Sequence, residues 1–170
     1  MADHEVREAC LQLLSVRPRS RTELAQRLQR KGFEPAQIEP VLDRLTDVQL
    51  IDDASFANDW VQSRHTHSGK GRRALTAELR LKGVEESVAA AALAQVDDAS
   101  EEQRARELVH KRVRTMVVSE ADGKPAVATI RKLAGMLARR GYSQEMAFRV
   151  VREELADLGA DVEEHFPTDQ

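Results

Sequence analysis

Three times along the chain a basic residue is followed by glycine, at Lys31-Gly32, Lys82-Gly83 and Arg140-Gly141. Each time leucines stand eight and four residues before the glycine: Leu24 and Leu28, Leu75 and Leu79, Leu133 and Leu137. Leucines at i and i+4 form the buried edge of a helix, and glycine just beyond can take the left-handed turn that ends one. The next residue is again apolar (Phe33, Val84, Tyr142), and a second apolar face follows at Val41-Leu42, Ala92-Leu93 and Val150-Val151. The glycines are 51 and 58 residues apart, so a unit of about fifty residues occurs three times. The seven extra residues of the longer interval fall around 118–123, a turn-like stretch.

A three-helix unit of this size buries little by itself, so neighbouring units must stack. The expected architecture is therefore all-α: three tandem three-helix repeats in an elongated, curved array. Helices are predicted near 5–16, 20–31, 35–48, 53–66, 70–82, 85–96, 100–118, 125–140 and 143–158. The repeats then span 1–52, 53–97 and 98–160, followed by an acidic tail over 161–170 containing Glu163, Glu164 and Asp169. Ser20-x-x-Glu23 and Ser100-x-x-Gln103 read as capping boxes, and Pro35 suits the first turn of a helix. Composition agrees, with aromatics at 4% and 13 Gly plus Pro residues in 170, which starves strands. The single Cys10 forms no internal disulfide, no apolar run reaches membrane-spanning length, and the first residues lack a signal peptide. A cytoplasmic setting is expected.

Net charge is −3, yet it is banded: 17–31, 64–82 and 104–140 are basic, while 34–59, 85–102 and 145–170 are acidic. No catalytic constellation emerges. His65 and His67 lack a third metal ligand and fit a solvated loop. Ser68-Gly69-Lys70-Gly71 misses the glycine and hydroxyl positions of a phosphate loop. Asp52-Asp53, Asp97-Asp98 and Glu163-Glu164 fit helix starts and the tail. No enzyme, metal or cofactor is expected.

The basic blocks remain. With Leu75 at zero on a helical wheel, Leu79 lies at about 40°, Arg80 at about 140° and Arg73 at about 160°, so both arginines face outward. Arg131 shares that column relative to Leu133, and Arg30 and Arg139 share another at about 240°. Together with Arg64, Lys70 and Arg72 these are the candidate contacts to an acidic partner or a polyanion. Lys31, Lys82 and Arg140 lie at about 340°, beside the leucines, where a structural role is expected. Phe56 and Trp60, four apart, read as core rather than as base-stacking residues.

A winged helix-turn-helix DNA-binding regulator is the alternative, but its recognition helix over 35–48 would carry Glu39, Asp43 and Asp47 against Arg44. The ordered set Arg19-Ser20-Arg21-x-Glu23-Leu24-x-x-Arg27-Leu28-x-x-Lys31-Gly32-Phe33, then Leu50-Ile51-Asp52-Asp53-x-x-Phe56-Ala57-x-x-Trp60-Val61-x-x-Arg64, then Gly71-x-x-x-Leu75-x-x-Glu78-Leu79-x-x-Lys82-Gly83-Val84, resembles the bacterial RecX regulatory proteins. The resemblance implies a monomeric, non-enzymatic modulator of the RecA recombinase, acting in DNA repair by homologous recombination and in the SOS response. It implies binding to the RecA filament on single-stranded DNA and inhibition of its ATP hydrolysis, strand exchange and co-protease activities.

Overall fold

In the computed structural model, which describes residues 2–117 and 127–157, the described residues form nine α-helices and no strand. They are α1 (Ala2–Val16), α2 (Arg21–Arg30), α3 (Pro35–Asp47), α4 (Asp53–Ser68), α5 (Arg72–Leu81), α6 (Glu86–Leu93), α7 (Asp98–Val117), α8 (Val127–Arg139) and α9 (Gln144–Asp157). The all-α, three-helix organisation read from the leucine spacing is the one observed. The turn-like stretch at 118–123, residues 125–126 of the expected eighth helix and the acidic tail at 161–170 lie outside the described residues.

Local signals explain most helix ends. Ser20 and Glu23 form the expected capping box: the Glu23 N–H donates to Ser20 Oγ at 3.1 Å, and the Ser20 N–H donates to the Glu23 carboxylate at 3.3 Å. Gly32, Gly83 and Gly141 have φ of 96°, 68° and 93°. The N–H groups of Phe33, Val84 and Tyr142 fold back onto the carbonyls of Leu28, Leu79 and Leu137, which satisfies the open ends of α2, α5 and α8. Pro35 opens α3, where Glu34 and Gln37 form a second box that the residue pattern had not singled out.

Two ends differ from expectation. Ser100 does not cap α7, because the Asp97 carboxylate accepts from the Ser100 N–H at 2.8 Å and the helix begins at Asp98, two residues earlier. His65 and His67 are not in a loop: α4 continues to Ser68, and the His65 ring lies 2.8 Å from the Lys70 carbonyl.

Contacts divide the chain into two compact units, residues 1–64 with 75–95 and residues 65–74 with 96–170. In the first unit Val6, Cys10, Leu24, Leu28, Ile38, Leu42, Leu45 and Ile51 form one core. In the second, Val109, Leu133, Leu137, Tyr142, Val150, Val151 and Leu155 form another. The middle repeat is divided between them: α4 and α5 each contribute residues to both units.

Candidate partner-binding surface

The same joint occurs in each unit, between the start of one repeat's second helix and the basic-Gly end of the next repeat's second helix. In the first unit Ser20 Oγ donates to the Lys82 carbonyl at 2.5 Å and Thr22 Oγ1 to the Gly83 carbonyl at 3.2 Å. In the second, the Gly71 N–H donates to the Arg140 carbonyl at 2.8 Å and the Arg73 N–H to the Gly141 carbonyl at 3.2 Å. Ser68-Gly69-Lys70-Gly71 is thus part of a joint, where a Cβ on Gly71 would come within 2.7 Å of the Gly141 backbone.

The basic residues ahead of the three glycines differ in their surroundings. Lys82 Nζ donates to Glu23 at 2.8 Å and sits 4.2 Å from the Trp60 ring centroid and 5.9 Å from that of Phe56. Arg140 donates to the Ser68 carbonyl at 2.6 Å. Lys31 does not lie against the leucines; it is exposed. Lys82 and Arg140 each reach back to a residue of the preceding repeat, Glu23 and the Ser68 carbonyl.

Around Lys82 the first unit holds a network of charges. Burial alone would raise the Glu23 pKa, but hydrogen bonds from Arg17, Lys82 and the Ser20 N–H outweigh it and hold the carboxyl down to about 2. Phe56 is buried and stacks with Trp60, which is half-buried, at 5.8 Å between ring centroids. Glu78, four residues from Lys82, accepts from Trp60 Nε1 at 2.9 Å and from Arg64 at 2.9 and 2.7 Å. Sequence spacing gave no signal for these partners, which come from separate helices.

The candidate contact residues now separate. Arg64 is half-buried in its fork on Glu78, and Arg72 pairs with Asp98 at 2.8 Å. The Arg64 pair is the more sheltered of the two, since the Asp98 side chain is 90% exposed. Lys70 is half-buried in the turn before α5. Arg30, Arg73, Arg80, Arg131 and Arg139 are all exposed, and their side chains make no ion pair or hydrogen bond among the described residues. Arg30 and Arg80 belong to the first unit, Arg73, Arg131 and Arg139 to the second. Arg73 and Arg131 line one groove, and Arg139 Nη1 lies 3.2 Å from where a Cβ on Gly135, in the floor of that groove, would stand.

Chemically the surface can bind and orient anions. Burial pushes the lone Cys10 thiol up to about 11, so it carries no thiolate near neutral pH. Among the described residues no group of three or more His, Cys, Asp or Glu is arranged to hold a metal, and no helix is long and apolar enough to cross a membrane.

Models of the first and second three-helix domains of RecX match residues 7–45 and 52–93. The regulatory protein RecX of Mycolicibacterium smegmatis is 49% identical over 157 residues, which cover 91% of this chain and 82% of that protein. This chain belongs to the RecX family. The regulatory protein RecX of Amycolatopsis mediterranei is 48% identical, with 92% of this chain and 87% of that protein covered. The crystal structure of RecX from Lactobacillus salivarius superposes with a TM-score of 0.78 over 92% of this chain and 97% of its own, at 23% identity, and supports the fold.

Proposed function

We propose that this chain is a non-enzymatic inhibitor of the RecA recombinase, which binds the RecA filament on single-stranded DNA and lowers its ATP hydrolysis, strand exchange and co-protease activities. The observation that carries this reading is the near full-length identity to regulatory RecX proteins. The exposed arginines Arg30, Arg73, Arg80, Arg131 and Arg139, whose side chains have no intramolecular partner among the described residues, supply charge to meet an acidic filament surface or its DNA. The three repeats, 1–52, 53–97 and 98–160, act as one monomeric binding body in the cytoplasm, and the segment 161–170 is an acidic tail.

The duplex-reading alternative is disfavoured by the helix that would have to enter the groove. On α3 the carboxylates of Glu39 and Asp43 are each 2.7 Å from Arg21, and α4 follows where a wing hairpin would be needed. The test is RecA ATP hydrolysis on single-stranded DNA at fixed ionic strength, titrated with the chain. Hydrolysis is expected to fall with a saturable dependence. Unchanged hydrolysis, or tight binding of duplex DNA without RecA, would overturn the proposal.

A further inference from the structure

We propose that the groove between α8 and α9 is a docking site for a short acidic peptide segment of a partner protein, with one bulky apolar side chain in the groove and flanking carboxylates on Arg73 and Arg131. This goes beyond the RecA reading, because it assigns a ligand chemistry to one surface of the second unit.

The groove encloses about 500 Å³, within the size range of sites that bury a small ligand. Its floor comes from Ala134, Gly135 and Ala138 on α8 and Ala147 on α9, with Phe148 at one side. Small side chains on facing helices leave room there for a large one. No Asp or Glu lines it, whereas Arg73 and Arg131 both do, and neither has an intramolecular partner among the described residues. That contrasts with Arg17, Arg21, Arg44, Arg64, Arg72, Arg104, Arg106 and Arg149, all of which pair with carboxylates. Arg73 is held in place through its backbone, the N–H bonded to the Gly141 carbonyl. A guanidinium fork matches a carboxylate through two parallel hydrogen bonds, so an apolar anchor flanked by acids satisfies both parts of the site.

A nucleic-acid strand fits less well. The Tyr142 hydroxyl is committed to the Gly69 carbonyl at 3.1 Å, which leaves Gln144 as the uncharged polar side chain able to read a base edge. Through the shared residues Gln144 and Phe148 the wall continues to Glu145, Arg149, Arg152 and Glu153, a stretch of mixed charge rather than a continuous basic track for a phosphate backbone. The basic spot is short and bounded.

The experiment is fluorescence anisotropy with the full chain and a labelled octapeptide bearing one Phe flanked on each side by two Asp. Saturable binding is expected, weakened at least tenfold by the double variant Arg73→Glu/Arg131→Glu. Ala138→Trp, which fills the groove and keeps both cations, should weaken it similarly, as should replacing the peptide's Phe with Ala. Arg73 and Arg131 are exposed, so the double variant folds and carries the test even if Ala138→Trp does not. Equal binding by parent and double variant, or equal binding of the Phe and Ala peptides, overturns the proposal. So does a thymidine octanucleotide that displaces the peptide at equal concentration. RecA is absent from this assay, so its failure leaves the RecA reading standing, and a chain that binds the peptide but leaves RecA hydrolysis unchanged refutes only that reading.

Discussion

Replacing Glu23 with Gln removes one negative charge from the joint between the first two repeats and leaves its shape. The Glu23 side chain is 16% exposed and receives Arg17 at 3.1 Å and Lys82 at 2.8 Å, and its carboxyl titrates at about 2 against an ordinary 4.5. A lowering of about 2.5 pH units at about 1.36 kcal/mol each corresponds to about 3 kcal/mol of stability held by the charged form. A carboxylate with a depressed folded pKa contributes fully above its unfolded pKa and loses that contribution as the pH falls through the folded one. The window is therefore roughly pH 5 to 2, with about half the contribution gone near pH 3. Trp60 is the single tryptophan, and its ring lies 4.2 Å from Lys82 Nζ, so its fluorescence reports this joint directly. In urea titrations followed by that fluorescence, Glu23→Gln should cost about 2–3 kcal/mol at pH 7, and the parent and variant curves should converge toward pH 2. The glutamine can still accept from the Ser20 N–H, so the helix cap is not the variable. A difference that stays constant from pH 7 to pH 3, or one under about 0.5 kcal/mol at pH 7, would refute the reasoning.

Gly83→Ala would place a Cβ 2.4 Å from Thr22 Cβ at φ 68°, whereas Gly32→Ala meets nothing within 4 Å and carries only the left-handed backbone cost of about 1 kcal/mol. Melting should therefore fall much further for Gly83→Ala, and equal losses would show that the joint can open without cost. Burial pushes the sole tyrosine, Tyr142, up to about 12, so its absorbance titration should lag that of free tyrosine by about two pH units, and stability should decline as the pH rises above 10. A native titration near 10 would contradict this burial. Arg73→Glu/Arg80→Glu should leave thermal unfolding nearly unchanged while weakening RecA inhibition; Arg64→Glu should do the opposite, since it puts two carboxylates together at Glu78. Inhibition by the Arg73/Arg80 variant equal to the parent's would remove those two arginines from the proposed contact surface.

What the sequence determined by itself was local. Leucines at i and i+4, glycines at left-handed positions and the Ser20–Glu23 box act within a turn or two of one helix, so their spacing set the helices and their outward and inward faces before any tertiary contact was known. Arg73, Arg80, Arg131, Arg30 and Arg139 are exposed because a helix wheel alone puts them opposite the buried leucines. Only the tertiary structure decided which charges stay free. Arg64 and Arg72 look like Arg73 and Arg80 in a string of residues, yet Glu78 and Asp98 from other helices claim the first two. Lys31 and Lys82 occupy the same place in their repeats, yet Lys31 is exposed while packing brings Lys82 to a carboxylate 59 residues away. The groove under Arg73 and Arg131 follows the same logic: its walls come from three helices and a turn, and their convergence depends on packing between distant segments rather than on any spacing within one.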